Sequence, residues 1–221
     1  MIELSLRARL EELSTAMLAD ARCSLGLPES HLDPGIRPVL PFSRMLGTAV
    51  TIEIEAVATP EEADLAAMSE AYEVEPPGAD LIAVIAVSPE LHRYGIFGEG
   101  AATLCRAHGF VGALVEGAVR DSHELRDLGF PVFSRAVAPG YIVFRSRVAA
   151  LGRPVVIGER RICQGDLIVA DNDGVLILEP DRADMVAAKA AEILDWEHRM
   201  HALMSAGMST ADALQQCGDW P

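Results

Sequence analysis

The run Leu81–Val87, LIAVIAV, constrains the fold more than any other stretch of the chain. It has strand length, and Ile and Val, which favour strands, dominate it. Successive side chains of a strand point to opposite faces, so a strand with no polar residue has to be covered on both. A sheet built around it therefore lies between two layers, as in parallel or mixed α/β sheets. Residues 49–54, 113–115 and 131–133 read as further strands of that sheet.

Helical patterns surround these strands. Residues 3–22 carry Leu6, Leu10, Leu13, Met17 and Leu18 at helical spacing, with Ser14-Thr15 able to divide the run into two helices and cap the second. Gly26 to Pro41 reads as a turn-rich connector. Residues 60–72 predict an acidic helix with Leu65, Met68 and Tyr72 on one face, stopped by Pro76-Pro77-Gly78. The last third changes style. Strands at 154–157, 165–171 and 174–178 follow in quick succession, with Asp171-Asn172-Asp173-Gly174 as a hairpin signal, before a terminal helix at about 181–204. The expectation is one α/β domain over residues 1–221: a mixed sheet, added antiparallel strands and a terminal helix.

The chain is half hydrophobic and carries a formal charge of −15, which suits a folded domain and argues against a general nucleic-acid binder. Charges interrupt the first 18 residues, leaving neither a signal-peptide core nor a membrane span. Cys23, Cys105, Cys163 and Cys217 have no metal or disulfide spacing. Free thiols and the cytoplasm are expected.

Two polar clusters sit at element ends between Gly95 and Arg135. Gly98-Glu99-Gly100-Ala101 opens a helix over 101–108, offering unpaired N–H groups and the positive end of a dipole to an anion. Arg120-Asp121 follows the strand at 113–115, with Gly117 to Asp121 read as a turn. Asp121 is a hard oxygen donor suited to Mg²⁺ or Mn²⁺, and Arg120 can fork onto a carboxylate. Another reading stays open, in which Asp121 only caps the helix over 122–128 and pairs with Arg120. His108 reads as a helix-end residue and His123 as solvent-facing; Asp171 and Asp173 read as turn chemistry. No GxSxG or GxGxxG pattern is present.

The segment GEGAATLCRAHGFVGALVEGAVRDSHELRDLGFPVFSR resembles the family that joins RraA-type regulators of ribonuclease activity to class II 4-hydroxy-4-methyl-2-oxoglutarate aldolases. Leu18-Ala19-Asp20-Ala21, residues 34–38, 47–51 and 165–175 add to the likeness, in order. The resemblance implies an α-β-β sandwich of the swivelling-domain kind, assembled as a trimer or hexamer with active sites between subunits. It implies divalent-metal-dependent cleavage of 4-hydroxy-2-oxo acids to pyruvate and a second oxo acid, with possible oxaloacetate decarboxylation. Asp121 would then be the ligand to Mg²⁺ or Mn²⁺, Glu99 would hold metal-bound water, and Arg120 would contact substrate oxygen. Gly98, Gly100 and Ala101 would cradle the pyruvyl carboxylate, the last two through backbone N–H groups. Glu197 would reach a neighbouring subunit's site. The alternative is a non-catalytic regulator of a ribonuclease. Residues 60–75, the region after Pro139 and the tail at 206–209 depart from the family pattern and bear on substrate identity.

Overall fold

The computed structural model describes residues 2–73 and 79–221; the expected stop at Pro76-Pro77-Gly78 lies outside them. The N-terminal pattern folds as α1 (Leu4–Glu12) and α2 (Thr15–Ser24). They divide where the Ser14 hydroxyl accepts the Met17 N–H at 3.2 Å, satisfying a donor the helix cannot. The connector is not wholly irregular, since it holds the short strand β1 (Arg37–Pro38). Strand β2 (Met45–Ala56) follows.

The acidic helix expected over 60–72 is interrupted. Pro60–Glu62 form a single 3₁₀ turn, and α3 (Leu65–Glu70) begins only where the Asp64 carboxylate accepts the Ala67 N–H at 2.9 Å. An Asp in extended conformation caps the new helix instead of continuing the old one. Next come β3 (Leu81–Val87), β4 (Gly95–Phe97), α4 (Glu99–Ala107), β5 (Phe110–Val119), α5 (Ser122–Leu128) and β6 (Val132–Val137). Then follow β7 (Ser146–Leu151), β8 (Val155–Ile157), β9 (Arg160–Ile162), β10 (Leu167–Asp171), β11 (Gly174–Leu178), α6 (Pro180–Ser205) and α7 (Thr210–Cys217).

The main sheet runs β1-β6-β5-β3-β2-β10-β11, with β4 on β5 and β7 on β2. Strands β2, β3, β5 and β6 are mutually parallel neighbours, whereas β1, β7, β10 and β11 join antiparallel. The run that anchors the sequence reading is covered on both faces. Ala83, Ile85 and Val87 of β3 pack toward α3, α4 and α5, in a core with Met68, Ala102, Cys105 and Leu125. Ile82, Val84 and Ala86 pack the other way, against Val155, Ile157 and Ile162 of the small β8–β9 sheet. A third core joins α1, α2 and α6 to β10 and β11.

Strand β5 is longer than residues 113–115, and Gly117 lies inside it rather than in a turn. Its charged member, Glu116, is accommodated because it accepts the Gly158 N–H at 2.6 Å and a bond from Arg135 at 3.3 Å. A Cβ at position 117 would come within 2.4 Å of Ile96, so the glycine there answers to packing. At the C-terminal end, α6 ends where expected and Ser209 caps α7, which the sequence reading leaves out. No helix among the described residues is long and apolar enough to cross a membrane.

Candidate active site

Strand β4 lies parallel to the last residues of β5, pairing Gly95 with Ala118 and Phe97 with Val119. Both chains leave the sheet at this edge, one into α4 and the other into α5. The Arg120 N–H donates to Phe97 O at 2.9 Å, which fixes the two exits side by side. Gly98 is the residue before α4, and the first main-chain bond of that helix runs from Ala102 N–H to Gly98 O at 3.0 Å. The amides of Gly100 and Ala101 in the first turn thus have no carbonyl partner within the helix.

Asp121 precedes α5 but does not cap it with its side chain. It adopts the left-handed conformation at φ 56°, ψ 39°, one that Asp tolerates better than most residues. One of its oxygens accepts the Glu99 N–H of α4 at 3.2 Å, and the other accepts Arg120 Nε at 3.0 Å. The reading of Asp121 as merely a cap is thereby corrected: its pairing with Arg120 holds, but its carboxylate faces α4. Gly98 makes this possible, since a Cβ there would stand 2.4 Å from the Asp121 carboxylate oxygen. At Gly100 a Cβ would meet nothing within 4 Å. The helix start faces open space.

That space is a cavity of about 690 Å³, lined in part by Gly98, Gly100, Ala101, Arg120 and Asp121. The two clusters singled out in the sequence therefore share one chamber. Glu99 is on the exposed side of α4 and contributes its backbone rather than its side chain to the arrangement. Glu197 is on α6, which packs on α1 and α2, and does not line the cavity of its own chain. His108 closes α4, and His123 is exposed and bonded to Arg126.

Sequence reasoning missed Tyr141, whose ring lies under the Arg120 guanidinium at 5.3 Å. Such a cation–π contact orients the guanidinium without neutralising it. The opposite wall was missed as a wall too: Leu65, Met68 and Tyr72 of the α3 region line the chamber together with Ile142 and Val143. The one-sided spacing of Leu65, Met68 and Tyr72 was a signal, but not one that says which cavity they face. Burial pushes the Tyr72 phenol well above its ordinary value, and Cys105 on the buried side of α4 is likewise held as a thiol.

Among the described residues, no group of three or more His, Cys, Asp or Glu forms a cage for a metal. Among the described residues lining the cavity, Asp121 alone offers carboxylate oxygens, each with a remaining lone pair. One carboxylate completed by water and ligand oxygens suits Mg²⁺ or Mn²⁺, not a structural zinc.

The family model described as RraA-like, Aldolase/RraA, matches residues 15–177. A protein of Halalkalibacterium halodurans named "Putative 4-hydroxy-4-methyl-2-oxoglutarate aldolase" is 28% identical, the match covering 85% of this chain and 83% of that protein. An uncharacterized protein of Pseudomonas syringae pv. tomato has a similar crystal structure, with a TM-score of 0.81 and 25% identity over 96% of this chain and 98% of that one. Streptomyces coelicolor RraAS2, described as an unusual member of the RNase ES inhibitor RraA protein family, shares the fold with a TM-score of 0.77 and 23% identity. That alignment covers 89% of this chain and 96% of the other.

Proposed function

The chain belongs to the RraA-like family, and from that premise we propose that it is a divalent-metal-dependent lyase cleaving 4-hydroxy-2-oxo acids to pyruvate and a second oxo compound. The observation that carries this reading is the convergence of Arg120, Asp121 and the open start of α4 on one cavity.

Asp121, fixed by the Glu99 amide and by Arg120, would hold Mg²⁺ or Mn²⁺. When bound, that cation supplies positive charge beside the 2-oxo acid's oxygens, where negative charge develops as C3–C4 breaks. The amides of Gly100 and Ala101 receive the substrate carboxylate at the positive end of α4. Arg120, oriented by Asp121 and Tyr141, faces the developing enolate charge. Among the described lining residues no His or Lys is available as a base, so the proton on the 4-hydroxyl leaves to water. Oxaloacetate decarboxylation generates the same enolate and fits the same cradle. Glu197, remote from the cavity of its own subunit, enters the site only from a second copy of the chain, in a trimer or hexamer.

The test is pyruvate release by the purified protein with Mg²⁺ or Mn²⁺, from 4-hydroxy-4-methyl-2-oxoglutarate, other 4-hydroxy-2-oxo acids and oxaloacetate. Turnover that chelation abolishes and Asp121→Asn removes is expected. Absence of turnover on every one of these substrates would overturn the reading.

A further inference from the structure

Among the described residues lining the cavity, the charged side chains are the adjacent Arg120 and Asp121. Arg120 is the one cationic side chain lining it among the described residues, and it is already committed to Asp121 and the Tyr141 ring. Away from this pair the lining is largely apolar, through Leu65, Met68, Tyr72, Leu104, Ile142 and Val143, interrupted by a Ser69 hydroxyl that is already given to Leu65 O. These residues belong to three separate segments, so the apolar character is a property of the chamber and not of one element.

The wall is also held in place. Tyr72 packs edge-on against Phe97 with ring centroids 6.0 Å apart, Ser146 donates to the Met68 sulfur at 3.3 Å, and Asp64 caps α3. Met68, Tyr72, Ile142 and Val143 are buried, whereas Leu65 stands half-exposed at the rim. Beyond Leu65, Met68 and Val143 the apolar lining continues into a second cavity of about 160 Å³, bounded by Pro60, Ala63 and Phe144. A carboxylate placed against this surface would lose its water without gaining a cationic partner among the described residues. A hydrocarbon chain would lose only unfavourable hydration.

We propose that the part of the substrate beyond C4 carries a hydrocarbon substituent rather than a second carboxylate, and that the α3 and 141–143 wall binds it. The inference rests on the lyase reading, which concerns the polar end of the cavity. In the step it describes, the C3–C4 bond breaks and its electron pair passes to C3 and the C2 oxygen. The proton of the 4-hydroxyl leaves to water as C4 becomes the carbonyl of an apolar aldehyde or ketone. C3 then takes up a proton, giving pyruvate with no oxidant or co-reactant.

The two layers of the claim separate in one calorimetric titration series, run on the full chain with Mg²⁺. The probes are pyruvate, 2-oxobutanoate, 2-oxohexanoate, 2-oxooctanoate and the dicarboxylate 2-oxoglutarate. Pyruvate binding that depends on Asp121 is expected from the lyase reading. The wall predicts affinity rising about 4-fold per added methylene over the first few, with 2-oxohexanoate tighter than 2-oxoglutarate by 10-fold or more. Leu65→Arg, at a half-exposed position that tolerates charge, should reverse the preference between the last two. Pyruvate binding with no gain along the alkyl series, or with 2-oxoglutarate the tighter ligand, overturns the hydrocarbon proposal and leaves the lyase reading intact. Failure of pyruvate itself to bind overturns both.

Discussion

Gly98 and Gly100 are two residues apart and differ in what they tolerate. A methyl at 98 pushes on the Asp121 carboxylate, while a methyl at 100 enters empty cavity. Gly98→Ala should therefore weaken Mn²⁺ binding and cut activity at little cost in melting temperature, because its φ of −151° suits any residue. Gly100→Ala should leave metal binding alone and raise KM for the oxo acid, since it crowds the carboxylate cradle. Steady-state kinetics with Mn²⁺ titrations on both variants would distinguish them; equal metal affinity in wild type and Gly98→Ala would contradict the geometry. Arg120→Ala should lower kcat by about 100-fold or more, the effect of losing a donor aimed at developing charge. At this scale the Arg120-Asp121 pair was legible from donor chemistry and from the family resemblance. Tyr141 and Met68 were not, because only tertiary packing brings residues 68, 120 and 141 to one chamber.

The elements hold together through a few polar bonds placed between them. Arg22 of α2 is buried, gives two bonds to Pro28 O and pairs with Glu179, which precedes α6, at 2.6 Å. Arg22→Met should cost about 2 kcal/mol by denaturant titration, less than a fully buried pair because Glu179 is partly exposed. The hydrogen bond from Arg22 holds the Glu179 carboxyl below its ordinary value of 4.5. A depressed carboxyl pKa stabilises the fold above the unfolded value and loses that effect as pH falls through the folded one. The stability gap between wild type and Glu179→Gln should thus be largest near neutrality and shrink below about pH 4.5, as urea midpoints at several pH values would read. A gap independent of pH would contradict this pairing. Element boundaries followed a cap that the sequence displays at Ser14, and failed where local and tertiary signals disagreed. Gly117 to Asp121 look like a turn, yet the bonds of Glu116 to Gly158 and Arg135 keep β5 running as far as Val119. The 60–72 helix looked continuous until Asp64 capped a new start.

For the molecule as a whole, the two-sided burial of β3 was readable because a strand with no polar residue has no alternative. Of the small sheet that covers one face, β8 was readable at 154–157 but its partner β9 was not, since Arg160-Arg161-Ile162 carries no strand pattern of its own. Assembly is where Glu197 matters. If it serves a neighbouring site, sedimentation should give a trimer or hexamer, and Glu197→Gln should lower activity without changing that mass. A fully active monomer would remove Glu197 from the mechanism while sparing Arg120 and Asp121. The central claim, that these two residues and the start of α4 form one site for a cation and a 2-oxo acid, is tested most directly by a crystal soaked with Mn²⁺ and pyruvate. Anomalous density for one Mn²⁺ beside the Asp121 carboxylate is expected, with the pyruvate carboxylate on the amides of Gly100 and Ala101. Mn²⁺ bound elsewhere on the chain, or pyruvate absent from that helix start, would contradict the account.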